Sequence, residues 1–149
     1  MKFYLMRHGE ALAASENPQR PLSFEGRRSV EWVARRSLDQ NVRISAVYHS
    51  GILRAQETAE ILARHLLPAG SPAPLAGLLP EDDPAILKAE LDAATDSILL
   101  VGHLPFMSRL AGLLVNGNPD RPAVEFFPAT MICCIRAPLQ WKIGWQLSP

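Results

Sequence analysis

Three short apolar runs in this chain stop abruptly on polar side chains, and each is followed by a segment of helical spacing. Phe3-Tyr4-Leu5-Met6 stops on Arg7-His8-Gly9-Glu10, Ala46-Val47-Tyr48 on His49-Ser50, and Ile98-Leu99-Leu100-Val101 on Gly102-His103. Each run reads as a buried strand, and strands alternating with helices make an α/β sheet with helices on its faces. In open sheets of this kind the ligand lies outside the carboxyl ends of the parallel strands, where helix N-termini point free amides at it. The polar stops therefore mark one end of a sheet, and residues distant in sequence are predicted to converge there.

The helical signals lie where that alternation needs them. Ser23 is a good N-cap for a helix carrying Val30, Val33, Ala34 and Leu38 on one side. A second helix carries Ile52, Ala55, Ala59, Leu62 and Leu66, and Pro68 marks its end. Asp83-Pro84, an acidic cap followed by proline at the first helical position, opens a third helix that buries Leu87, Leu91 and Ala94. Leu104-Pro105 opens a fourth with Phe106, Leu110, Leu113 and Leu114, stopped by Asn116-Gly117-Asn118-Pro119. Between these, Ala13 to Pro21 is loop-like, and Pro68 to Pro80 is a loop with a short strand near Leu75 to Leu79. The tail turns to β character at Val124 to Phe127, Met131 to Arg136 and Trp141 to Leu147, the last as an edge. No repeat or linker divides the chain. The expected fold is an α/β three-layer sandwich: residues 1–149 as a single domain, a mostly parallel sheet with helices on both faces, and no large cap insertion.

A chain of 149 residues buries roughly 70% of its extended surface, enough for one substantial core. Its 15 basic and 15 acidic residues cancel, which gives no general drive toward nucleic acid or an anionic membrane. No apolar stretch approaches the ~20 residues that span a bilayer, and the start is too short for a signal peptide, so a cytoplasmic protein is expected. Cys133 and Cys134 are adjacent, point to opposite faces of a strand and read as small core hydrophobes rather than a disulfide or metal pair.

The chemistry sits at the strand ends. Gly9 lets a ligand approach the backbone closely, Arg7 brings a permanently charged planar fork suited to phosphate, and His8 brings a nitrogen that is nucleophilic near neutral pH. On its own the triplet fits a strand capped by chance equally well. The rest of the chain breaks the tie: Arg54 enters the second helix in its first turn, His103 ends another strand, and Arg20 precedes the first helix. Together they describe one anion pocket with a nucleophile in it.

These residues match a known pattern. Arg7-His8-Gly9 after the first strand, the Ser-x-x-x-Arg-Ala-x-x-Thr-Ala segment from Ser50 to Ala59, and the late Gly102-His103 resemble the histidine phosphatase superfamily, whose fold is phosphoglycerate mutase-like. Arg20-Pro21-Leu22, His103-Leu104-Pro105, the short length and the terminal Gly144 to Pro149 segment are similar to its small SixA-type phosphohistidine phosphatases. The resemblance implies His8 as the nucleophile that takes up the phosphoryl group, with Arg7, Arg54 and His103 holding it and Gly9 and Arg20 adding to the phosphate site. It implies hydrolysis of phosphohistidine on a signalling or phosphotransfer protein, through a phosphohistidine intermediate on His8. The partner would be a phosphorylated histidine phosphotransfer domain or phosphocarrier, and the enzyme a monomer. No cofactor and no metal are expected, because arginine stabilises the charge and its field helps keep the His8 ring neutral.

Larger relatives place a glutamate acid in an insertion after the second helix. This chain has only Pro68 to Pro80 and then Glu81-Asp82-Asp83, which makes Glu81 the candidate general acid beside its plainer reading as an acidic helix start. Phosphohistidine leaves as imidazole and can do without a strong acid, unlike a phosphoester. Gly51 departs from the proline that many relatives carry after the serine. Two other functions stay in view: a phosphatase of small phosphomonoesters, and a phosphate-binding interaction domain, which would have no need of a nucleophile. Glu10 is expected to orient a neighbour or cap, His49 to pack beside the pocket, His65 to favour a helix C-terminus, and Phe106, Trp32, Trp141 and Trp145 to pack.

Overall fold

The run after Met1 becomes β1 (Lys2–Arg7), the strand around which the others assemble in a computed structural model that describes residues 1–67 and 70–149. The remaining elements follow as α1 (Phe24–Asp39), β2 (Ala46–His49), α2 (Leu53–Leu66), β3 (Ala73–Pro74), α3 (Pro84–Ala93), β4 (Ile98–Gly102), α4 (Phe106–Asn116), β5 (Met131–Ile135) and β6 (Lys142–Leu147). The expected helix stop at Pro68 lies outside the described residues. The sheet order is β3-β2-β4-β1-β5-β6: the first four strands are parallel, and β5 and β6 add antiparallel at one edge.

Alternation along β1 divides the core in two. Tyr4 and Met6 face the layer of α1 and α2, with Val30, Val33, Ala59 and Leu62, while Phe3 and Leu5 face α3 and α4, with Leu87, Leu91, Phe106 and Leu110. Cys133 and Cys134 are fully buried on opposite sides of that division. Each fully buried Leu or Phe contributes roughly 1.5–3 kcal/mol, so two complete hydrophobic layers hold β1 and β4 rigidly between them. Ser23 and Asp83 cap α1 and α3 through side-chain oxygens, and Gly117 ends α4 in the left-handed conformation at φ 69°.

Four expectations are corrected. The short strand forms at Ala73–Pro74, because Gly77 at φ 96° bends the chain out of extended geometry before Leu79; an edge strand also tolerates Pro74. Val124 to Phe127 is irregular, its backbone serving side chains instead: the Phe126 carbonyl accepts from Arg7, and the Phe127 amide donates to Thr130 Oγ1. Leu38 is exposed and Ser37 is buried in its place, its hydroxyl satisfied by the Ala34 carbonyl at 2.7 Å. Trp32 is 41% exposed and lies under the Arg36 guanidinium, 5.2 Å from ring centroid to Cζ, rather than in the core.

The loop after β1 is clamped against α1. A Cβ at Gly26 would lie 2.0 Å from the Glu10 carbonyl oxygen, and one at Gly9 would lie 2.7 Å from Val30 Cγ2. Gly26→Ala should therefore destabilise the protein by about 1–3 kcal/mol, the range for forced overpacking, as read by chemical denaturation; an unchanged midpoint would show that the loop yields freely.

Candidate active site

Strand pairing alone brings the two histidines together. Arg7 is in register with Gly102, so the residues that follow, His8 and His103, leave adjacent parallel strands at the same level. The connection after β1 runs to α1 on one face, and that after β4 runs to α4 on the other, which opens a crevice between the strand ends. The two rings flank it with centroids 5.0 Å apart. On the other side β2 pairs with β4, His49 opposite Val101, and delivers Ser50 and the start of α2 with Arg54 to the same crevice.

His8 is fixed at every polar atom but one. Its amide donates to the Gly102 carbonyl, and its carbonyl accepts from Ala129 N–H. Its Nδ1 lies 2.7 Å from the Gly9 carbonyl, which can only accept, so Nδ1 carries the proton and Nε2 keeps a free lone pair. Gly9 N–H donates to Thr58 Oγ1, which donates in turn to the Arg54 carbonyl, so the loop and α2 are tied by one hydroxyl. Burial pushes the His8 pKa from 6.5 down to about 4, with Arg54, Arg7 and Arg20 acting in the same direction against the Gly9 hydrogen bond. His103 is pushed down to about 3, chiefly by burial and then by His8, Arg54 and Arg7. Both rings are neutral at pH 7.

Neither arginine has all its donors satisfied. Arg7 Nη1 donates to the Phe126 carbonyl at 3.0 Å, while Arg7 Nε, Arg54 Nε and His103 Nδ1 are buried with no hydrogen-bond partner. Each such atom calls for an explanation, and here all three come from separate segments gathered around His8. Among the described residues no carboxylate forms an ion pair with Arg7 or Arg54. The α2 N-terminus has no side-chain cap either. A cationic crevice with unpartnered guanidinium N–H groups and a bare imidazole nitrogen suits a tetrahedral oxyanion. No three His, Cys, Asp or Glu side chains gather as a metal site among the described residues.

Arg20 reaches the edge of this crevice. It adopts φ 50°, donates from Nε to the Leu12 carbonyl, and its charge is felt at both His8 and Arg54. Glu81 is exposed and makes no hydrogen bond or ion pair to the other site residues among those described. Glu10 accepts from the Ser23 hydroxyl, and His49 accepts at Nδ1 from Gly51 N–H. Gly51 sits at φ 90°, which proline cannot adopt, so the departure at this position reshapes the turn. His65 pairs with Glu31 at 2.6 Å, Trp145 packs on Tyr4, Trp141 donates to Asp92, and Phe106 is fully buried. The sequence assigned no role to Ser50, Thr58 or the Phe126 carbonyl; the first two were visible only as letters of a motif.

Beside Arg7 a shallow groove of about 600 Å³ runs along Leu104, Ser108 and residues 122–127, with Leu104 and Phe127 exposed at its lips. A larger cavity, about 790 Å³ between α3, α4 and residues 136–141, lies at the opposite end of the sheet. No helix among the described residues is long and apolar enough to cross a membrane.

Comparison with known proteins gives consistent likenesses. Residues 3–73 match the model of the histidine phosphatase superfamily (branch 1). The chain is 30% identical to the phosphohistidine phosphatase SixA of Escherichia coli (strain K12), over all of this chain and 94% of that one. It superposes on the protein histidine phosphatase SixA complexed with tungstate with a TM-score of 0.86, at 29% identity and over 99% and 97% of the two chains. A mycobacterial glucosyl-3-phosphoglycerate phosphatase shares the fold at a TM-score of 0.74 and 15% identity, over 99% of each chain.

The depressed histidines give a pH signature. The unfolded chain takes up protons near pH 6.5, but the folded rings resist until about pH 4 and about pH 3. Stability should therefore fall as pH drops through the interval from 6.5 to about 4. Chemical denaturation between pH 7 and pH 4 checks the slope, which His103→Gln should flatten. NMR titration of either ring near pH 6.5 would contradict it.

Proposed function

The chain belongs to the histidine phosphatase superfamily, and from that premise we propose that it removes the phosphoryl group from phosphohistidine on a signalling or phosphotransfer protein. The observation that carries this reading is the pair of buried, unpartnered guanidinium donors, Arg7 Nε and Arg54 Nε, with His103 Nδ1 also buried and unpartnered, around a neutral His8 with a free Nε2. The full-length likeness to SixA, and the tungstate held by a SixA, support the same anion and the same substrate class.

In the proposed reaction His8 Nε2 attacks phosphorus in line. The bond from phosphorus to the substrate imidazole breaks, and that imidazole takes the electron pair and a proton from solvent. The Nδ1–H···O=C bond to Gly9 then stabilises the positive ring of phosphorylated His8. Arg7 and Arg54 hold the three equatorial oxygens, with Arg20 at the rim and the Gly9 loop closing behind. Water next attacks phosphorus, the electron pair returns to Nε2, and inorganic phosphate leaves. Charge stabilisation and positioning supply most of the catalysis in such transfers.

The same geometry speaks for phosphohistidine over phosphoesters. An ester leaves as alkoxide and needs a donor, yet among the described residues no carboxylate hydrogen-bonds to or pairs with the side chains of His8, Arg54 or His103, and Glu81 is exposed. The open apolar lips at Leu104 and Phe127 suit a protein surface better than an enclosed metabolite. We read residues 1–149 as one domain acting as a cytoplasmic monomer. A small-molecule phosphatase is the alternative, since the shared fold also carries a phosphatase of glucosyl-3-phosphoglycerate.

Turnover of a phosphohistidine-labelled phosphotransfer protein should far exceed that of a generic phosphomonoester under the same conditions; the reverse ranking would move the function to metabolite hydrolysis. Arg54→Ala should lower kcat about 10²–10³-fold, the usual effect of deleting one oxyanion donor. Glu81→Gln should change it by less than about threefold, where loss of a working general acid would reach about 10²–10⁴.

A further inference from the structure

Ser50 is the last polar atom of β2's exit before the turn, and its hydroxyl lies 2.6 Å from His103 Nε2. The same oxygen accepts from Ile52 N–H at 3.2 Å. We propose that Ser50 is a positioning residue that sets the tautomer of His103: it donates to Nε2 and so leaves the ring proton on Nδ1, as a donor for the phosphoryl oxygen. The proposal rests on reading the crevice as a phosphate site and adds how one of its donors is prepared.

Hydrogen-bond accounting within the protein favours this arrangement. A hydroxyl has one proton to give and two lone pairs to receive with. With Ile52 N–H on one lone pair, donation to Nε2 satisfies the hydroxyl proton and the ring nitrogen together. With the proton on Nε2 instead, Ser50 would accept twice and its own proton would have no acceptor among the described residues. Nδ1 would then bring a bare lone pair toward an anion, in a pocket where its buried atom has no other partner. A ring this far from protonation at neutral pH cannot donate from both nitrogens, so the choice of tautomer decides whether it attracts or repels the substrate.

The turn is built to hold Ser50 still. Gly51, at φ 90°, returns its N–H to His49 Nδ1 at 3.0 Å, a bond that proline could not form. His49 is itself in register with Val101, two residues before His103. The device therefore spans the β2–β4 pairing rather than a mobile loop.

Long-range ¹H–¹⁵N spectra of the unliganded protein with labelled histidine test this, the His103 signals being assigned by their loss in His103→Gln. The expected result is protonated Nδ1 and bare Nε2 in the parent protein. Ser50→Ala should shift the ring toward the Nε2–H form and weaken tungstate binding roughly tenfold, about the value of one hydrogen bond to a charged group, while Ser50→Thr should keep both properties. An Nε2–H ring in the parent protein would overturn the proposal, and that spectrum suffices even if a variant fails to fold. An unchanged tautomer in Ser50→Ala would overturn it too, whatever happens to affinity. Failure of the parent protein to bind tungstate would strike the phosphate-site reading instead, while leaving the tautomer to be judged by its own spectrum.

Discussion

The parallel pairing of β1 with β4 is the constraint from which the rest of the site follows. Register sets Arg7 against Gly102, and the next residue on each strand is a histidine. A slip of one residue would turn His8 to the other face and separate the rings, and with them the crevice between α1 and α4. The slip is opposed on both sides of the sheet by fully buried side chains, Leu5, Met6, Leu99 and Leu100 among them. The geometry of the crevice is thus a by-product of core packing, and the strands that carry it are largely buried.

Burial then does a second job. Removing His8 and His103 from water disfavours their charged forms, and the nearby guanidinium groups add to that effect. The result is a cationic crevice in which the imidazoles remain neutral and nucleophilic. Arg7 and Arg54 stay charged throughout, since burial lowers their pKa from a value far above neutrality. A phosphoryl group entering this crevice meets partners that the folded chain has left without any. In the proposed reaction these unpartnered groups, costly to bury in the free protein, are what binds the phosphoryl group.

Much of this was legible in the letters, for identifiable reasons. The βα alternation, the helix caps at Ser23 and Asp83, and the convergence of His8, Arg54 and His103 all follow from local periodicity plus one topological rule. The errors came where tertiary demands outweighed local pattern. Val124 to Phe127 has strand composition, but its backbone is used to hold Arg7 and Thr130. Leu38 lies at helical spacing with the core residues, yet it falls just past the end of the packed stripe and is exposed while Ser37 is covered. Trp32 looks like core by residue type, and its cation–π contact with Arg36 lies in solvent. Ser50 and Thr58 act through single hydrogen bonds across the fold, which no spacing rule reveals.

The central claim is that His8 itself carries the phosphoryl group in transit. Quenching the reaction within the first turnover, unfolding the protein and locating the label by mass spectrometry tests it directly. The account predicts an acid-labile, alkali-stable phosphoramidate on His8, formed and lost at rates that match turnover, and absent in His8→Ala. Full turnover with no label at His8, or with activity retained in His8→Ala, would contradict it.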